Sequence, residues 1–358
     1  MTGDGDYATE ATRRLGITAP IIQGPFGGNL STAKLASIVS NAGGLGSFGA
    51  HVTAPAEIEA RAKEIRALTD RPFALNLWVS DHDPGGRSPD AAELDRAYSL
   101  FEPYFRELGV PRPAPPERFH HSFDEQVDAL LEARPPVFSF VFGIPSAKVL
   151  AECKRRGIVT VGAATTVAEA RALDDAKVDV IVATGFEAGG HRPSFLASAE
   201  ASLTGTFALI QLVAPRVSAP VVAAGGIADG RGVRAALALG AQAAQIGTAF
   251  LACDESGTTD QHRALLFSER ASTTVLTRAF SGRLARGLAN RWTDELASRT
   301  GELPPFPITS WFTSTLRPAA VAAGRTDLVS LWGGQIAPNL RHRNASSLMA
   351  SLLKELDS

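Results

Sequence analysis

A chain of 358 residues with 45% hydrophobic and 20% charged side chains holds ample material for a large buried core. Its formal net charge of −2, with no block of like charges, argues against a polyanion such as nucleic acid as partner. The polar, acidic start Met1-Thr2-Gly3-Asp4-Gly5-Asp6 is unlike a signal peptide, no run approaches the ~18 apolar residues of a membrane helix, and Cys153 and Cys253 support neither a disulfide framework nor a metal site.

Apolar or β-branched runs closed by glycine or polar turns predict eight strands: Pro20–Gln23, Gly44–Phe48, Phe73–Val79, Val137–Phe142, Ile158–Gly162, Val180–Thr184, Val221–Ala224 and Ala243–Ile246. Several are apolar throughout, as parallel strands buried on both faces require. Helical stretches fall between them. Thr32–Asn41 has Ser31 as its cap and Gly43-Gly44 as its stop, and Pro55–Leu68 carries proline in its first turn. Ser146–Arg156, Thr166–Ala176 (with Glu169 and Arg171 on a charged face) and Gly230–Leu239 follow.

This alternation predicts an α/β fold, a TIM-type (β/α)8 barrel, which runs to about 250 residues. An open doubly wound sheet would want a glycine-rich phosphate turn after the first strand; there Pro25 removes a backbone donor. Two regions break the rhythm. Residues 81–120 read as an insertion after strand three, with an amphipathic helix at Ala91–Leu108. Residues 254–358 read as an extension over the barrel mouth, following a barrel of residues 1–253. It contains a loop at Leu303–Pro307 and a closing helix, Ala345–Leu356, capped by Asn344.

Barrels of this type place ligand groups at the C-terminal ends of the strands, often with a phosphate after strands seven and eight. Gly225-Gly226 and Gly247-Thr248 stand at those two ends, offering amides and one hydroxyl to an anion. Strand six runs into Gly185-Phe186-Glu187-Ala188-Gly189-Gly190-His191. The paired glycines let backbone approach a ligand, and His191 projects at the mouth, where imidazole suits proton abstraction or, once protonated, the holding of an anion. Arg192 reads as an anion partner or a solvated side chain. His51 reads equally as structural or rim, His120-His121 as able to reach the mouth, and His82, His262 and His342 as surface residues.

These residues define a phosphate pocket with a rim histidine and leave flavin and phosphosugar equally open. The stretches Pro20–Pro25, Ser40–Gly46, Glu187–Arg192, Val221–Ile227 and Gln245–Phe250, with Ser281-Gly282-Arg283, Ala285-Arg286-Gly287 and Trp332-Gly333-Gly334-Gln335, resemble nitronate monooxygenases, formerly 2-nitropropane dioxygenases. The resemblance covers nearly the whole chain in the expected order. It implies FMN, with its phosphate on Gly225, Gly226, Gly247 and Thr248 and its ring system against Gly24, Pro25 and Phe26, near Gln23, Asn76, Gly189, Gly190 and Gln245. It further implies that His191 takes a proton from a nitroalkane or orients a nitronate anion, which O2 then converts to a carbonyl compound and nitrite.

The sequence departs from the family pattern at several places. Phe26 stands where methionine is usual, Val141 where histidine is frequent, Thr184 where glutamine often precedes the glycine, and Pro193 where glycine is common. Phe306 and Ser310 fall near positions that often carry tyrosine. The competing readings are an NAD(P)H-dependent flavin reductase of a quinone or enoyl thioester, a flavin-free sugar-phosphate lyase or isomerase with His191 as acid/base, and a non-catalytic ligand-binding module. The expected compartment is the cytoplasm, the partners a nitronate-like small molecule and O2, and the state a monomer or homodimer.

Overall fold

The computed structural model describes residues 7–79 and 89–357, so the acidic start Met1–Asp6, residues 81–88 of the insertion and His82 lie outside the described residues. All eight barrel strands form within two residues of the expected bounds. They are β1 (Ile21–Gln23), β2 (Gly46–Gly49), β3 (Phe73–Trp78), β4 (Val137–Val141), β5 (Val159–Ala164), β6 (Val180–Thr184), β8 (Val221–Ala224) and β9 (Ala243–Ile246). Three shorter-range strands, β7 (Gly190–His191), β10 (Thr274–Thr277) and β11 (Ala285–Leu288), make a separate sheet.

The eight strands are parallel in the order β1-β9-β8-β6-β5-β4-β3-β2, and a parallel bridge between Ile22 and Leu45 joins the two ends. Hydrogen bonds from Gln23 N to Leu45 O and from Leu45 N to Ile21 O, both 2.9 Å, close the circle. Closure needs the helix after β1 to lie tight on β2. A Cβ at Gly46 would stand 1.9 Å from the Ala36 carbonyl oxygen, so only glycine fits there. Inside the barrel, Ile22, Ala74, Val137, Val161, Val180, Val182, Val222 and Ala243 pack as one cluster with Ala11, Leu15 and Ile17. The helix Glu10–Leu15 thus stoppers the end where the strands begin, bonding through Thr9 Oγ1 and the Ala11 amide to Gln242.

Helix caps follow local chemistry, with differences from expectation. Thr32, not Ser31, caps Ala33–Asn41; the Ser31 hydroxyl instead accepts from the Phe26 amide at 2.9 Å. In the helix Val167–Asp175, Glu169 is fully buried rather than on a charged face. Its carboxylate accepts from Thr165 N and Oγ1 and from the Phe195 and Leu196 amides, which tie the end of β5 to the loop beyond His191. Buried carboxylates persist where such donors replace water.

The extension leaves the barrel and returns to it. Asn344 caps the helix Ala345–Leu356, whose Leu348, Met349 and Leu352 pack with Leu35, Val39, Val233 and Ala236 of the barrel shell. It occupies the shell position belonging to β9, so the eighth α-element comes from the C-terminal end of the chain. The insertion helix Ala91–Glu107 packs with the extension: Phe101 and Phe105 share one apolar core with Trp292, Phe312 and Leu316. That second core sits above the barrel mouth. Among the described residues no helix is long and apolar enough to cross a membrane.

Candidate active site

The strand ends and the overlying extension enclose a cavity of about 300 Å³. From the barrel it is lined by Gly24, Pro25, Phe26, Asn76, Gly189, Gly190, His191, Gly225, Gly226, Gln245, Gly247 and Thr248. Of the residues expected from sequence to be catalytic or to bind the cofactor, Gln23 alone does not line it. Fully buried, its amide spans the Gly24 carbonyl and the Ser47 amide and so fixes the floor from beneath. Asn76 Nδ2 donates to Ser139 Oγ at 3.0 Å, which orients the Asn76 side chain in the wall.

His191 is set by the extension as much as by the barrel. β7 pairs antiparallel with β11, placing His191 opposite Ala285, and the Arg192 amide donates to the Leu284 carbonyl at 2.9 Å. The imidazole Nε2 lies 2.7 Å from Ser281 Oγ. Trp78 meets the ring edge-on at 4.8 Å, and Trp332 stands at 4.9 Å on another side. Burial, then the nearby Arg283 guanidinium, then His51 hold His191 well below the usual imidazole value. His191 is therefore neutral at pH 7, and the protonated, anion-holding form considered from sequence is disfavoured. His51 stacks on Trp78 at 3.7 Å and 8°; burial first and Arg283 second lower it to about 3.

Arg283 itself lies over Phe142 at 3.6 Å, with Phe306 at 4.6 Å and Trp78 at 5.1 Å. Arg192 is neither solvated nor an anion partner. It is buried, and its guanidinium bonds the carbonyls of Thr184, Ser202 and Thr165, pinning the chain after β6. His262 is likewise buried rather than on the surface, with Nε2 donating to the Trp332 carbonyl at 2.9 Å. His342 is only part-exposed between the exposed Arg341 and Arg343.

The two glycines of the Gly189-Gly190 pair differ in what they admit. At Gly189 a Cβ would stand 2.6 Å from Gly334 N, so glycine there admits the strap Trp332-Gly333-Gly334 rather than open space. At Gly190, φ is +80° and nothing lies within 4 Å of the Cβ position. The strap is stitched down by Gly334 N donating to Thr248 Oγ1 at 2.9 Å and by Gln335 N donating to the Glu187 carbonyl at 3.0 Å. Trp78, Ser281, Trp332 and Arg317 line the cavity without having been singled out as site residues. Ser281 and Trp332 stood in resembling motifs, which was their only sequence signal.

The departures Phe26, Val141, Thr184, Pro193, Phe306 and Ser310 all lie in the cavity wall. Val141 and Phe306 bring hydrocarbon where histidine and tyrosine are common, so this part of the wall is drier than the family pattern implies. Among the described residues no cluster of His, Cys, Asp or Glu is arranged to hold a metal ion.

Comparison with known proteins agrees with this geometry. The sequence model of the nitronate monooxygenase family matches residues 9–355. The nitronate monooxygenase of Pseudomonas aeruginosa is 44% identical over 351 residues, covering 96% of this chain and 98% of that protein. A probable nitronate monooxygenase of Staphylococcus aureus is 36% identical over 347 residues, covering 97% and 96%. Among solved structures, a nitroalkane oxidase from Streptomyces ansochromogenes superposes with a TM-score of 0.88 at 36% identity, covering 98% of each chain. FabK from Thermotoga maritima superposes at 0.75 with 29% identity, covering 98% of this chain and 96% of that one. On family match, identity and coverage together, this chain belongs to the nitronate monooxygenase family.

Proposed function

We propose that the protein is an FMN-dependent oxidase of alkyl nitronates, and of nitroalkanes once deprotonated, which uses O2 and yields a carbonyl compound and nitrite. The observation that carries this reading is His191: a neutral imidazole, fixed by Ser281 between Trp78 and Trp332, facing a cavity that also holds the glycine turns of β8 and β9.

The residues present fit FMN. At Gly247 neither the backbone, with φ −98°, nor packing demands glycine, because a Cβ would meet nothing nearer than Phe26 at 3.9 Å. The missing side chain leaves the cavity floor open at the end of β9. Gly225 and Gly226 adopt φ +110° and +70°, and successive amides in such turns form anion-binding concavities. Gly225, Gly226, Gly247 and Thr248 would hold the phosphate; Gly24, Pro25 and Phe26 would face the ring, with Asn76, Gly189, Gly190 and Gln245 alongside and Gln23 supporting from beneath. The chemistry FMN supplies when bound is acceptance of electrons from the nitronate and their delivery to O2.

The chain's own residues do the rest. With Nε2 held by Ser281, His191 keeps Nδ1 without a hydrogen-bond partner among the described residues, available for the α-proton of a nitroalkane or for a nitronate oxygen. Trp78, Phe142 and Trp332 keep water away, so that one hydrogen bond to the anion counts for more. We take the protein to act in the cytoplasm, as a monomer or homodimer.

The test is anaerobic reduction of the FMN-loaded protein by propionate 3-nitronate, ethyl nitronate, neutral nitroethane, NADH and NADPH in parallel. Bleaching by the nitronates and not by the nicotinamides supports the reading. The reverse pattern replaces it with an NAD(P)H-dependent flavin reductase. Protein that retains no flavin after FMN supplementation removes both.

A further inference from the structure

His51 stands two residues past β2, at the barrel mouth, and its ring lines the cavity. The turn that carries it is fixed: the buried Gln126 amide donates to the carbonyls of Ala50, His51 and Thr53 at 3.2, 3.1 and 2.8 Å. The ring is fixed as well, lying flat on Trp78 at 3.7 Å and 8°. Gly27 makes room for it. A Cβ there would stand 1.7 Å from His51 Cε1 and 2.6 Å from each ring nitrogen, and no positive φ demands glycine at that position.

The other histidine rings of the interior have partners. His191 Nε2 has Ser281 Oγ, and His262 Nε2 has the Trp332 carbonyl. At His51 neither ring nitrogen has a hydrogen-bond partner among the described residues, and Nδ1 is shut off from solvent. Burial and the Arg283 charge keep the ring neutral, so it carries a single N–H. Buried orphan N–H groups are rarer than bare acceptors, which puts the proton on Nε2, the nitrogen not shut off. Trp78 ties this ring to the reacting one, since its edge contact is His191 at 4.8 Å. The two histidines thus offer complementary groups to one cavity: His191 a lone pair at Nδ1, His51 a donor at Nε2.

Deprotonation of a nitroalkane breaks the Cα–H bond and sends its electron pair into the C–N bond. Negative charge is left on the two nitro oxygens, and the proton passes to His191 Nδ1. We propose that His51 is a further catalytic residue, which donates from Nε2 to one of those oxygens and stabilises the charge as it develops. This rests on the nitronate reading of the same cavity. The stack on Trp78 and the turn at Gln126 aim the donor in advance, so little reorganisation accompanies the reaction.

The experiment is anaerobic stopped-flow reduction of FMN-loaded wild type, His51→Phe and His51→Gln by neutral nitroethane and by preformed ethyl nitronate. Phenylalanine keeps the stack on Trp78 and fills the space at Gly27 without a donor; glutamine restores an N–H. In His51→Phe the limiting rate with nitroethane is expected to fall about 10- to 100-fold, and Kd for ethyl nitronate to rise about 10-fold. His51→Gln should recover part of both. Flavin content and midpoint potential, measured without substrate, should match wild type in both variants. If neutral nitroethane does not reduce wild type, Kd for ethyl nitronate decides alone. Wild-type rate and Kd in His51→Phe, or no recovery in His51→Gln, overturn the proposal and leave the oxidase reading intact. Lost flavin or a shifted potential also overturns it, by assigning the imidazole to the cofactor. Wild type that neither compound reduces refutes the oxidase reading, and this proposal with it.

Discussion

His191 Nε2 and Ser281 Oγ lie 2.7 Å apart although 90 residues separate them, so the extension supplies the partner that orients the barrel's histidine. The Ser281 hydroxyl also accepts from the Arg283 amide at 3.3 Å, which fixes it in turn. Replacing Ser281 by alanine is expected to lower kcat/KM for a neutral nitroalkane by roughly 3- to 10-fold, the worth of one hydrogen bond. FMN content should stay at the wild-type level. Steady-state kinetics with flavin quantitation check this; an unchanged rate would remove Ser281 from the site.

Removal of the imidazole has a larger and more selective effect. His191→Ala is expected to slow turnover of neutral nitroethane by 10²-fold or more, the usual worth of a positioned base. Preformed ethyl nitronate, which needs no deprotonation, should lose much less. Because burial, Arg283 and His51 hold His191 well below its ordinary value, the group is already neutral at pH 7. The kcat/KM profile of wild type on a preformed nitronate should therefore show no acidic limb near 6.5. A limb at that value would mean that His191 titrates normally.

The barrel is legible in the sequence because its strands are short apolar runs between glycine turns, a pattern that burial on both faces imposes locally. The glycine turns at β8 and β9 and the run to His191 are legible for the same reason, since strand ends locate them. Ser281 and Arg317 are not, because what brings them to the cavity is packing of the extension, which has no local signature; Trp78 stands at the end of β3 and is open to the same strand-end reasoning. His262 misleads in a different way. Its neighbours Asp260, Gln261 and Arg263 are polar, yet one turn of the helix Asp260–Leu266 carries its ring inward to the Trp332 carbonyl. Arg192 and Glu169 mislead similarly: charged residues read as surface whenever the groups that satisfy them are distant in sequence.

His262 also sets a pH dependence of stability. Burial lowers its native value to about 4, against an ordinary 6.5. Between those values the unfolded chain binds a proton that the native chain does not, so stability is complete above pH 6.5 and falls as pH drops toward 4. One such group contributes about 1.4 kcal/mol per pH unit in that window. His262→Gln should therefore show a shallower loss of stability between pH 7 and pH 5 than wild type. Urea unfolding midpoints at the two pH values measure the difference, and parallel losses would exclude His262 as the source.

Arg192 is expected to matter for folding before catalysis. Its side chain is 4% exposed and bonds carbonyls at Thr184, Ser202 and Thr165, so Arg192→Ala strands three acceptors in the interior. A destabilisation of about 3–5 kcal/mol follows. Arg192→Lys should recover little, because one ammonium cannot reproduce the guanidinium fork. Denaturant unfolding of the apoprotein reads this directly, and a variant with wild-type stability and weakened substrate binding would instead restore the anion-partner reading.

Two cavity glycines, Gly247 and Gly189, should respond in opposite ways to the same methyl group. At Gly247 the backbone is in a conformation open to alanine, and the new Cβ would meet only Phe26 at 3.9 Å, so Gly247→Ala should fold with wild-type stability. The methyl would fill the space assigned to the cofactor, and FMN affinity should weaken by roughly 10-fold, within the range of mild overpacking. At Gly189 the methyl would stand 2.6 Å from Gly334 N, against backbone that cannot turn aside. Gly189→Ala should lose about 1–3 kcal/mol of apoprotein stability as the strap lifts. Fluorescence titration with FMN and urea unfolding of the two apoproteins separate the cases. Equal FMN affinity in Gly247→Ala and wild type would mean that no ligand occupies the floor at β9, and the cofactor assignment there would have to be abandoned.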